Sequence, residues 1–140
     1  MEKVYIASDH GGVELKSKLV AGLEESAYQV EDMGPDSTDS VDYPDYARKV
    51  AQKVAQNGAK GVLICRSGIG MSLAANKFDK IRAALAYNPR IATLSRQHNN
   101  ANVICFGADF ISEQDAKTAL DNFLTTEFEG GRHQRRVSKI

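Results

Sequence analysis

Net charge is the first thing this sequence lacks. Its 18 basic and 18 acidic side chains cancel, which argues against a general binder of nucleic acid or of membrane surfaces. No apolar run approaches the ~20 residues that span a bilayer. The opening Met-Glu-Lys-Val passes straight into a strand-like run without the basic, apolar and small-residue succession of a secretion signal. A cytoplasmic location is therefore expected. The two cysteines, Cys65 and Cys105, have no CxxC spacing and no histidine-rich partner, so neither a zinc site nor a disulfide framework is suggested. Internal repeats and low-complexity segments are missing as well.

What is present fits one domain. A chain of 140 residues buries about 68% of the surface its unfolded form exposes. Apolar runs of strand length recur at 4–7, 28–33, 61–65, 81–86 and 102–106, the second being the weakest. Between them lie stretches with helical spacing: Leu15, Leu19 and Leu23; Tyr46, Val50 and Val54; Ala116, Leu120 and Phe123. Continuous rather than alternating apolar runs imply strands buried on both faces. The expected fold is a single doubly wound, Rossmann-like α/β domain with about five parallel strands and helices on both faces. Punctuation agrees: Gly34-Pro35-Asp36 marks a loop, Pro44 suits a first helical turn, Asn57-Gly58 closes a helix, and Ser112 with Asp115 forms a cap. The domain is expected to end near residue 128. The remainder, 129–140, carries Arg132, Arg135, Arg136 and Lys139 with no acid after Glu129. Such a tail is either a solvated terminus or a segment that orders by lying across another surface, such as a partner subunit.

Open parallel sheets bind ligands beyond the carboxyl ends of their strands, where loops and helix N-termini present N–H groups. Two such places stand out, Ser8-Asp9-His10-Gly11-Gly12 and Cys65-Arg66-Ser67-Gly68-Ile69-Gly70. A free thiol with pKa ~8.5 becomes a better base or nucleophile at a helix N-terminus or beside a cation, and Arg66 is a candidate cation. The alternative for Cys65 is a buried, inert strand cysteine, which suits Cys105 better. Gly68-x-Gly70 resembles half of a dinucleotide fingerprint, but Leu73 stands where that motif needs a small residue. A smaller oxygen-rich ligand, an enediolate or a phosphate, fits the turn better. Asp9 suits a sugar hydroxyl or a helix cap, and His10 a phosphate or a plain loop position. His98 suits the C-terminal end of a helix, and His133 a solvated tail.

Further stretches complete the pattern: Asp42-Tyr43-Pro44, Met71-Ser72, Ala74-Ala75-Asn76-Lys77, Ser95-Arg96-Gln97-His98-Asn99, Asn102-Val103 and Glu129-Gly130-Gly131-Arg132-His133. Together and in this order, nearly end to end, they resemble the ribose-5-phosphate isomerase B family with its relatives, the galactose-6-phosphate isomerase subunits. The resemblance implies a metal-free, cofactor-free isomerase of phosphorylated sugars. Cys65 would move a proton between C1 and C2, with Ser67 and the amides around Gly68 and Gly70 holding the enediolate. His98, with Asp9, would open the sugar ring. His10, Arg132 and Arg136 would hold phosphate, and Tyr43 and Asn99 the sugar. Relatives form dimers or tetramers with sites shared between subunits, so a homodimer or homotetramer is expected here. This chain departs from the family in two places: Arg66 follows the cysteine where glycine is usual, and Asp109 stands where an arginine is common. Arg66 would crowd the turn or reach a substrate oxygen.

Overall fold

A computed structural model describes residues 2–140. Its strands are β1 (Lys3–Ser8), β2 (Gln29–Asp32), β3 (Lys60–Cys65), β4 (Ala83–Leu85) and β5 (Val103–Gly107), and its helices are α1 (Val13–Glu25), α2 (Tyr43–Asn57), α3 (Ile69–Ala75), α4 (Pro89–Asn99), α5 (Glu113–Thr125) and α6 (Arg132–Val137). The sheet runs β2-β1-β3-β5-β4 and every neighbouring pair is parallel. This is the expected doubly wound arrangement in one domain. β1, β3 and β5 occupy the centre and are buried almost throughout, as their uninterrupted apolar composition requires. β2 and β4 are the edges and only half-buried, which explains their weaker sequence signal. β4 is shorter than the expected 81–86 because the Arg82 N–H leaves the ladder and donates to Asn102 Oδ1 at 2.8 Å.

Two apolar layers hold the helices to the sheet. On one face Val4, Ile6, Val62, Ile64, Ile104 and Phe106 pack against Leu19 of α1, Ala92 of α4 and Phe123 of α5. On the other, Tyr5, Leu63, Cys65 and Cys105 meet Val50 and Val54 of α2 and Met71 of α3. Local signals fix the helix ends. Pro44 lies in the first turn of α2, and Gly58, at φ 63°, closes it. Asn88 and Ser112 cap α4 and α5 by accepting from the Ile91 and Asp115 N–H groups at 2.9 and 3.1 Å.

The connection that leaves β1 packs α1 on one face and leads to β2, whereas the one that leaves β3 packs α3 on the other face and leads to β4, so the strand order reverses between β1 and β3. Crevices form at such switch points beyond the carboxyl ends of the strands. Both glycine-rich stretches of the sequence lie at this one. After α5 the chain returns over the end of α4. Arg96 guides it there: Nε donates to Thr126 O at 3.1 Å, and one terminal nitrogen donates to Asn100 Oδ1 and Ala101 O at 2.8 and 2.7 Å. The Glu129 N–H then donates to Gln97 O at 3.1 Å. No helix among the described residues is long and apolar enough to cross a membrane.

Candidate active site

β1 ends at Ser8, and Asp9 caps the single 3-10 turn that follows, its Oδ1 accepting from the Gly11 and Gly12 N–H groups at 2.9 and 3.1 Å. The cap fixes the direction of His10. His10 Nδ1 in turn accepts from the Val41 N–H at 3.2 Å. With Nδ1 acting as acceptor, the proton of the neutral ring sits on Nε2, which leaves that nitrogen a donor for an oxygen ligand.

Beside this loop, β3 ends in the Cys65 turn. Cys65 is only 5% exposed, and its Sγ accepts from the Gly68 N–H at 3.1 Å. The turn is possible only because Gly68 takes φ 79° and has no side chain: a Cβ there would lie 2.9 Å from the Phe106 carbonyl carbon and 3.1 Å from the Gly107 nitrogen. Ser67 Oγ accepts from the Ile69 N–H at 3.2 Å, while the Tyr87 hydroxyl donates to Ser67 O at 2.9 Å. The next amides, of Gly70 and Met71, belong to the first turn of α3, where N–H groups have no intrahelical acceptor. The Tyr43 ring lies against Gly70, where a Cβ would come within 2.6 Å of it. Asp9, His10, Tyr43, Cys65, Ser67, Gly68 and Gly70 therefore lie near one another beyond the carboxyl ends of β1 and β3. Cys105, on the neighbouring strand, is fully buried, and burial together with the nearby Cys65 drives its thiol far above the ordinary range. That cysteine is inert.

Arg66 and Asp109, the two departures from the family pattern, meet. The Asp109 N–H donates to Arg66 O at 3.0 Å, and the guanidinium stands 3.8 Å from Asp109 Oδ2 with both side chains more than half exposed. The stem of Arg66 covers Gly11, where a Cβ would lie 2.6 Å from Arg66 Cγ. Arg66 thus links three loops at the carboxyl edge. It adds no uncompensated positive charge there, because Asp109 faces it.

His98, Asn99, Arg132 and Arg136 lie elsewhere. α4 starts beyond the carboxyl end of β4 and runs back, so its last residues reach the amino edge, where Asn102 leads into β5. Cys65 and His98 are separated by the depth of the sheet, about 16 Å for five strand residues. At that edge His98 stacks on His133, with ring centroids 4.3 Å apart and planes 13° from parallel. Glu129 Oε1 lies 3.9 Å from His98 Nε2 and 3.7 Å from His133 Nε2. Arg132 and Arg136 are exposed on α6 beside them. His133, read from sequence as a solvated tail residue, is only 13% exposed in its side chain. Its four-residue spacing from Glu129 gave no signal, because Gly130 and Gly131, both at positive φ, and not a helical turn, bring the two side chains together.

The Ribose/Galactose Isomerase family matches residues 4–140. Ribose-5-phosphate isomerase B of Escherichia coli (strain K12) is 45% identical over 141 residues, an alignment covering 100% of this chain and 95% of the relative. Among solved structures, a ribose 5-phosphate isomerase from Thermotoga maritima superposes with a TM-score of 0.96 at 48% identity, covering 99% of this chain and 96% of that one. Ribose-5-phosphate isomerase B from Mycoplasma genitalium with bound ribulose-5-phosphate gives 0.96 at 44%, covering 98% and 92%. Agreement of this extent in sequence and in fold places the chain in the ribose/galactose isomerase family.

Proposed function

We propose that the protein interconverts ribose 5-phosphate and ribulose 5-phosphate, with Cys65 as the base that carries a proton between C1 and C2. The observation that carries this reading is the Cys65 turn: a sulfur already accepting one N–H, next to unpaired amides, at the switch point of the sheet. Abstraction of a proton next to a carbonyl needs a base and a group to hold the oxyanion, and positioned acid–base groups contribute ~10²–10⁴-fold. Here Ser67 and the amide of Gly70 take the enediolate oxygen, while the Gly68 N–H stays with the Cys65 sulfur. His10 donates from Nε2 to the phosphate, Tyr43 borders the sugar, and Asp9 meets a hydroxyl. The proton passes between adjacent carbons through one side chain, so no cofactor enters the scheme. An anionic sugar does not cross a bilayer unaided, which suits a cytoplasmic site of action.

His98, Asn99, Arg132 and Arg136 complete the site from a second copy of the chain. A homodimer or homotetramer is favoured by the separation of the two groups within one chain and by the apolar side chains exposed near the Cys65 turn: Ile69, Leu73, Tyr87, Ile91 and Phe110 are each at least 40% exposed. Such a patch marks an interaction surface. In the assembly the tail arginines grip phosphate oxygens in pairs, and His98 opens the ring.

A second reading, the same proton transfer on a four- or six-carbon phosphosugar, is favoured by the Arg66–Asp109 pair, which replaces a common family arginine with a neutralised one. Turnover on ribose 5-phosphate beside erythrose 4-phosphate, allose 6-phosphate and galactose 6-phosphate separates the two. In either case Cys65→Ala is expected to abolish turnover while phosphosugar binding persists; retained turnover would remove Cys65 from the role of base.

A further inference from the structure

The side chains of Glu129 and His133 form a compact cluster with His98, their ligand atoms all within 4.8 Å of one another. Two histidines and a carboxylate suggest a metal site at first sight. The ring planes argue otherwise. Imidazole lone pairs lie in the ring plane, and two rings stacked 13° from parallel cannot both aim at one ion without breaking the stack. A different use fits the geometry. Stacking fixes the plane of His98, and one carboxylate faces the same nitrogen on both rings.

We propose that Glu129 and His133 are positioning residues for His98, orienting its ring and balancing the charge it acquires while the sugar ring opens. This rests on the isomerase reading above. In the step, the C1–O bond to the ring oxygen breaks and the C1 carbonyl forms. A proton leaves the anomeric hydroxyl and one arrives at the ring oxygen, so the cluster ends with the protons it began with. Glu129 stabilises the transient imidazolium of His98. His133, whose proton affinity is lowered first by burial, with Arg132 and Arg136 adding to the effect and Glu129 opposing it, gives His98 a surface to stack on. The cluster holds its shape through the backbone: the Glu129 N–H donates to Gln97 O at 3.1 Å and the His133 N–H to Gly130 O at 3.0 Å.

Ribulose 5-phosphate is open-chain, because the hydroxyl that would close a five-membered ring is phosphorylated. It therefore separates ring opening from proton transfer. Two rates are to be measured on the full-length protein and on Glu129→Gln, Glu129→Asp and His133→Gln: kcat/KM on ribose 5-phosphate, and exchange of the C1 proton of ribulose 5-phosphate with heavy water. Glu129→Gln and His133→Gln are expected to lower the first by roughly 10- to 100-fold, the scale of misplacing a catalytic group, and to leave the second within about twofold. Glu129→Asp, which keeps the charge, should recover part of the first rate. Adding Glu129→Gln to His98→Asn should cost nothing more, since Glu129 acts through His98. Parallel loss of both rates, no loss of either, or additive losses in the double variant would overturn the proposal. Wild-type protein inactive in both assays would instead overturn the isomerase reading itself.

Discussion

At the carboxyl edge of the sheet, Cys65 sits in a turn with no slack, whereas at the amino edge His98 and Arg132 project from a helix end and from a six-residue helix that buries none of its residues. The first region is made by the core. Its position follows from central strands, from Gly68 pressed against β5, and from Gly107, whose Cβ would strike the Ser67 backbone. The second is made by tethers, chiefly Arg96 on three oxygens and Glu129 on Gln97. Proton abstraction at carbon tolerates little displacement, while gripping a phosphate with long arginines tolerates more. Under the proposed function, this division gives the demanding chemistry to the rigid edge and the adaptable binding to the tail, and leaves their union to assembly.

The two edges differ most visibly at two glycines. Gly68 and Gly130 both have positive φ, 79° and 67°, but a Cβ at Gly68 meets backbone and Leu85 whereas nothing lies within 4 Å of Gly130. Gly68→Ala is expected to lose about 1–3 kcal/mol of stability from the strained backbone alone, more from the collision, and most of its turnover. Gly130→Ala carries only the strain. Thermal unfolding and steady-state rates on the two variants test the contrast, and equal losses would mean that the tail is as tightly built as the Cys65 turn.

A smaller effect is expected at Arg66 and Asp109. Exposed ion pairs contribute ~0–1 kcal/mol, so a phosphate dianion competes readily with Asp109 for Arg66. Asp109→Ala should tighten competitive inhibition by inorganic phosphate up to about fivefold, and Arg66→Ala should remove that gain. An unchanged inhibition constant in Asp109→Ala would place Arg66 outside the phosphate's reach.

The smallest effect concerns pH. His133 has a lowered pKa in the folded chain, caused first by burial. Below its ordinary pKa of about 6.5 the undocked tail binds more protons than the docked one, so acidification favours release and docking recovers as pH rises. Amide exchange across residues 129–137 should quicken as pH falls from ~7 to ~5 beyond the intrinsic dependence, and His133→Gln should lose that excess.

Much of the rigid edge is readable in the sequence because its signals are local. β3 and β5 are continuous apolar runs, and the glycines after Cys65 announce a turn before a helix. The looser edge is far less so. Six residues are too few for α6 to display a periodicity, and His133 shows only as a histidine among arginines until the fold lays it on His98. Arg66 and Asp109 are each conspicuous in the sequence, yet their pairing depends on the β3–β5 register that sets Cys65 beside Gly107. What escapes sequence reading is contact between distant segments.

A shared site needs both edges, from two copies of the chain. Mixing Cys65→Ala with His98→Asn, each nearly inactive on ribose 5-phosphate alone, tests it directly after co-refolding. Random pairing into symmetric dimers should restore about one quarter of the wild-type activity, because half of the dimers are mixed and each of those has one intact site. No recovery, with mixed dimers demonstrated by mass spectrometry, would contradict a shared site and require a single chain to bring His98 to Cys65.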